Sequence, residues 1–117
     1  MTKDIIVEAK TDIQDLRALL DEHQAKSTGI LDIDDVLAQV YKKLESSHNP
    51  EALINRLVNY IRSIALADHL RFPENQEELI IDLSVIGQKA GLNGLYMADF
   101  SDKSQFYSYV EEMPRHN

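Results

Sequence analysis

Apolar residues recur three and four positions apart along most of this chain, and they do not alternate in twos between turn signals. The first spacing puts side chains on one face of an α-helix; the second, which a half-buried strand needs, is missing. Breakers are few, with four glycines and three prolines in 117 residues. Such a chain buries its apolar side by laying helices against one another. The predicted class is therefore all-α, an antiparallel up-down four-helix bundle forming a single domain over residues 1–117.

The first helix is expected over about residues 2–24, capped by Thr2, with Ile6, Ala9, Ile13, Leu16 and Leu20 on one stripe. Lys26 to Gly29 read as a polar connector. The second helix is expected over about 32–46, with Asp32 as N-cap and Asp34 and Asp35 in the first turn, where carboxylates suit the helix dipole. Its buried face is Ile33, Val36, Leu37, Val40, Tyr41 and Leu44. Asn49-Pro50-Glu51 is a strong helix start and opens a third helix over 50–71. Leu53, Ile54, Leu57, Val58, Ile61, Ile64, Ala65 and Leu66 cover most of its circumference, which places it centrally. Phe72-Pro73 breaks the chain. A fourth helix follows over 74–90, with Leu79, Leu83, Ile86 and Ala90 on its core stripe, Gly87 as a point of close approach and Gly91 as its stop. Ile81 and Val85 project from nearly the opposite side. The tail, residues 91–117, is expected to double back over them. In that reading it forms a short fifth helix packed on helix four, with Phe106, Tyr109, Val110 and Met113 on one face.

Composition excludes several functions. There are no cysteines, so disulfides, thiolate metal sites and cysteine nucleophiles are out. Twenty acids against twelve bases leave a net charge of −8, which disfavours nucleic acid as a partner. The longest apolar runs, Ile64–Ala67 and Leu95–Ala98, are far short of the roughly 20 residues of a membrane span. The N-terminal Met-Thr-Lys-Asp lacks the apolar core of a signal peptide, so a cytoplasmic location is expected, with peripheral contact at the inner face of a membrane still open.

No catalytic, cofactor-binding or metal-ligating set is expected. Glu45-Ser-Ser-His48 has the Glu-x-x-His spacing of di-iron bundles, but those need two such motifs and two further glutamates. Asp32-x-Asp34-Asp35 resembles the start of a calcium loop, yet Leu37 stands where glycine is required and Lys43 where the bidentate glutamate belongs. No two of the four histidines share metal-ligand spacing on one helix face. What stands out is the tail, since five of the eight aromatic residues follow position 95. Tyrosine-rich segments supply contact area with few rotamers to freeze. The same rings would also serve simply to cover helix four.

The second half carries a family resemblance. The run Ile64-Ala-Leu-Ala-Asp-His-Leu-Arg-Phe72, the turn Phe72-Pro-Glu-Asn, the acidic aliphatic helix Glu77-Glu-Leu-Ile-Ile-Asp-Leu83 and the segment Gly91-Leu-Asn-Gly-Leu-Tyr-Met97 resemble the pediocin/enterocin A-type, or class IIa, bacteriocin immunity proteins. The resemblance spans about residues 10–100, and the tail from Asp102 on is longer than the family pattern. It implies a non-enzymatic helical bundle in the cytosol of a Gram-positive bacterium. Such a protein shields the producer from its own pore-forming bacteriocin by binding membrane components of the mannose phosphotransferase transporter once the bacteriocin has engaged them. By the same resemblance, Gly94, Tyr96, Met97 and Phe100, and then Phe106, Tyr107 and Tyr109, are candidate partner-contact residues. The alternative class is a cytosolic helical adaptor or regulator that binds another protein through the aromatic tail.

Overall fold

The structure, a computed structural model, describes residues 2–22, 26–90 and 101–116. They form α1 (Thr2–Asp21), α2 (Thr28–Lys43, prolonged by a 3₁₀ turn Leu44–Ser46), α3 (Pro50–Asp68) and α4 (Glu74–Gln88), with no strand among them. The bundle is all-α, as the periodicity requires.

Cross-helix pairs fix its topology. Arg17 of α1 holds Asp34 of α2 at 2.9 Å, while Lys10 pairs with Glu45 at the far end, so α1 and α2 run antiparallel. Arg62 of α3 grips Glu77 of α4 at 2.6 and 2.9 Å, and Gly87 lies against Asn55, so α3 and α4 are antiparallel too. Glu8 and Asp12 of α1 face Asp82 of α4, which closes the ring. Each helix thus has two antiparallel neighbours, and α3 against α4 is the most extensive contact.

Most of the core comes from the predicted stripes, although Ile6, Tyr41, Ile64 and Leu79 are only partly buried. Ala9, Ile13, Leu16 and Leu20 meet Ile33, Val36, Leu37, Val40 and Leu44, then Ile54, Leu57 and Ile61, then Leu83 and Ile86. Two large core residues, Tyr60 and Ile80, lie outside the predicted stripes. Conversely, Leu66 is 81% exposed. It stands nine residues after Leu57, about 900° round the helix and so on the opposite side.

Local chemistry shifts several boundaries. α2 begins four residues before Asp32, because the Ser27 hydroxyl accepts the Ile30 N–H at 3.1 Å and is the cap. Asp32, Asp34 and Asp35 are therefore interior, and Gly29 is no connector: a Cβ there would strike Ile64 and Asp68 of α3. α3 stops at Asp68 rather than near residue 71, since His69 turns left-handed at φ 56° and Leu70 N–H bonds back to Ala65 O at 2.8 Å. α1 ends at Asp21 and α4 at Gln88, each short of its predicted end. Gly91, the expected stop, lies outside the described residues.

Gly87 sets the α3–α4 approach. A Cβ added there would come within 2.8 Å of the Asn55 Cα and 2.9 Å of its nitrogen, both backbone atoms that cannot swing away. Replacing Gly87 by alanine gains about 1 kcal/mol of helix propensity but forces the helices apart, so a net loss of about 1–2 kcal/mol is expected in chemical denaturation. An unchanged midpoint would mean that the helices do not meet this closely.

Candidate functional site: a C-terminal strap and an acidic seam

Residues 101–116 form a strap. The Asp102 carboxylate accepts the Ser104 N–H at 2.9 Å and starts a single 3₁₀ turn, Lys103–Phe106. That turn drives Phe106 inward, where it is 3% exposed and edge-on to Tyr60, with ring centroids 5.5 Å apart. The Phe106 carbonyl accepts from Gln39 at 3.0 Å and Lys43 at 3.3 Å. Glu111 accepts from Gln39 at 2.8 Å, from Lys43 at 2.6 Å and from the Ser108 N–H at 2.8 Å. The Lys103 ammonium donates to Asp32 at 2.8 Å, Asp35 at 3.0 Å and the Pro114 carbonyl at 2.7 Å. His116 completes the set on Asp35.

The described tail therefore lies on α2 and not on α4. The reason is complementarity: α2 offers two acids for Lys103 and an amide and ammonium for Glu111, whereas Ile81 and Val85 on the outer side of α4 stay about half exposed. Among the described tail residues no fifth α-helix forms; the chain turns extended at Tyr107, with φ −123° and ψ 140°. The strap holds the predicted contact residues in three different states. Phe106 belongs to the core, Tyr107 is half-buried, and Tyr109 is fully exposed beside the equally bare Val110. Tyr107, Tyr109, Met113 and Pro114 border a hollow of about 930 Å³. Gly94, Tyr96, Met97 and Phe100 lie outside the described residues.

Electrostatics favour the docked strap. Burial alone would pull the Lys103 ammonium down, but Asp32 and Asp35 outweigh it and hold its pKa above the ordinary value. Lys43, the Ser108 N–H and Gln39 together keep Glu111 far below the usual carboxylate range. A lowered acid stabilises above its unfolded pKa, here 4.5, and loses that contribution as pH falls below it. Removing residues 102–117 should lower Tm, and Phe106→Ala alone should cost about 3 kcal/mol. A truncated chain that melts like the intact one would show that the strap is not docked.

A second cluster lies in the seam between α1 and α4. Glu8 and Asp12 are one turn apart on α1, and their carboxylates meet that of Asp82 on α4, with one oxygen of each within 4.8 Å of the others. Asp12 is only 9% exposed, and its Oδ2 has no hydrogen-bond partner. Burial first, then the hydrogen bond to Asp82 and the charges of Asp82, Glu8 and Asp15, push Asp12 up to about 8. Glu8 is raised, mainly by Asp82, and Asp82 is lowered, mainly because Asp12 donates to it. A raised acid contributes fully below its unfolded pKa of 3.8 and loses that contribution as pH rises toward 8. Asp12→Asn keeps a donor toward Asp82 without the charge. It should raise Tm at pH 7 by about 3–6 °C and flatten the decline in stability between pH 4 and 8. An identical pH profile for both proteins would exclude a raised Asp12.

Two clusters among the described residues could hold a metal by geometry: Glu8, Asp12 and Asp82, and Asp32, Asp35 and His116. In the second, the Lys103 ammonium already bridges Asp32 and Asp35. Asp32 and Asp35 belong to the run that resembles a calcium loop, but nothing in the sequence joins His116 to them, and the first cluster forms no ligand motif. A signal for the first did exist, since Asp12 interrupts the apolar stripe of α1 between Ala9 and Leu16. Of the motifs weighed earlier, Glu45 is tied to Lys10 and Asp34 to Arg17.

Comparison with known proteins settles the family. The sequence profile described as the bacteriocin immunity protein family matches residues 7–88. The chain belongs to the bacteriocin immunity protein family. A probable leucocin-A immunity protein of Leuconostoc gelidum is 66% identical over 83 residues, covering 71% of this chain and 74% of the relative. A probable mesentericin-Y105 immunity protein of Leuconostoc mesenteroides is 64% identical over 84 residues, covering 72% and 74%. No solved structure matches the chain. The family match ends at the last residue of α4, so the strap lies beyond it. No helix of the described residues is long and apolar enough to cross a membrane.

Proposed function

We propose that this protein protects its cell from a pore-forming class IIa bacteriocin by binding, without catalysis and from the cytosolic side, the membrane components of the mannose phosphotransferase transporter that the bacteriocin has engaged. The observation that carries the reading is the family match across all four helices, supported by relatives whose names assign them to leucocin A and mesentericin Y105. Blocking a pore needs a body that stays rigid and a surface that distinguishes the engaged target from the free one. The bundle supplies the first through its continuous core. For the second, the reading turns to the carboxy end: Tyr109 and Val110, which the strap leaves bare, together with Gly94, Tyr96, Met97 and Phe100. Tyr107 borders the same surface, and Phe106 serves it by anchoring the strap.

Expression in a strain sensitive to class IIa bacteriocins tests this directly. Survival should rise against at least one peptide of a panel, and full sensitivity to every peptide would overturn the reading. Replacing Tyr109 and Val110 by serine should reduce survival at least tenfold while leaving Tm within about 1–2 °C, since neither side chain is buried. Undiminished protection by that variant would move the contact surface away from the strap.

A further inference from the structure

Carboxylates that face another element of this bundle are generally met by a base. Asp34 meets Arg17, Glu77 meets Arg62, and Glu111 meets Lys43. The α1–α4 seam breaks that pattern, because Glu8, Asp12 and Asp82 meet one another. Lys89 acts on Glu8 only through its field. Like charges one helical turn apart are unfavourable even at a surface, and Asp12 is nine-tenths buried. Its Oδ2 is buried and has no hydrogen-bond partner, and its carboxylate is one of the three that converge within 4.8 Å. Beside it opens a hollow of about 590 Å³ whose wall adds Asp15, Glu78 and Asn75 to Asp12 and Asp82. The arrangement therefore has convergent oxygens, an orphaned buried acceptor and an acidic approach, in a protein of net charge −8.

We propose that Glu8, Asp12 and Asp82 form a binding site for a hard divalent cation that clips α1 to α4. The donors are all carboxylate oxygens, with no imidazole or thiolate among them. That set suits magnesium, calcium or manganese and disfavours softer metals. Three protein ligands leave the remaining coordination positions to water, as such ions accept. An ion in this seam stands between the first helix and the last, so it ties the two ends of the bundle's chain path together. It also gives Asp12 the partner that its buried oxygen lacks.

The probe is the metal alone, added to the full chain. At neutral pH, magnesium, calcium or manganese chloride at about 5 mM should raise Tm by about 3–6 °C above potassium chloride of equal ionic strength. Manganese followed by electron paramagnetic resonance should bind at one ion per chain, with a Kd of about 10⁻⁴–10⁻³ M. Asp12→Asn and Asp82→Asn should weaken that binding at least tenfold. Glu8→Gln, at an exposed position where folding is not at stake, should weaken it several-fold. A Tm rise no larger than that of the potassium control, or manganese binding that is absent or unchanged in Glu8→Gln and Asp82→Asn, would overturn the site and leave a proton shared by Asp12 and Asp82 as its only occupant.

Discussion

Burial of α3 is the constraint on which the other elements depend. Leu53, Ile54, Leu57, Val58, Tyr60 and Ile61 leave little of its first three turns for solvent, so α3 needs neighbours on several sides at once. α2 and α4 flank it, and α1 closes the ring by touching those two. Phe106 then reaches Tyr60, so the strap leans on the same helix. A single apolar rod thus dictates both the bundle and the docking of a segment far from it in sequence. The α3–α4 side shows how narrow the tolerance is, since only a hydrogen at Gly87 lets the two backbones meet.

Managing an acid surplus is the second theme. Most cross-helix carboxylates are neutralised one to one, and these pairs also set register, as Arg17–Asp34 and Arg62–Glu77 do. The pairs are partly exposed, so each adds little stability by itself. The strap concentrates this chemistry. Lys103 and Glu111 each answer several partners on α2, so docking exchanges water for a closed polar network around one apolar anchor. The α1–α4 seam is where the surplus is left over, and a buried acid there holds a proton far above its normal range.

The bundle was legible because periodicity is a local signal: the stripes through Ile13, Leu37, Ile54 and Leu83 name the core directly. The N-terminus of α2 was misread because Asp32, Asp34 and Asp35 look like dipole partners in isolation, whereas they serve Arg17, Lys103 and His116 elsewhere in the chain. The tail's destination was misread for a related reason. Ile81 and Val85 advertise an apolar face, but the polar match offered by Gln39 and Lys43 can be seen only once α2 is folded. Aromatic richness likewise marked the tail without separating the anchor, Phe106, from the exposed Tyr109.

That separation bears on how specificity can be built. The family match stops with α4, and the strap begins after it. The matched span, residues 7–88, contains the α2 positions Asp32, Asp35, Gln39 and Lys43 to which the strap is tied. The strap contributes one ring to the core and presents others outward. A segment anchored in this way can change its exposed tip without disturbing the bundle, because Tyr109 and Val110 touch no core residue's environment while Phe106 and Lys103 keep the dock. Such a division separates the side chains that fold the bundle and hold the strap from those that the strap leaves bare.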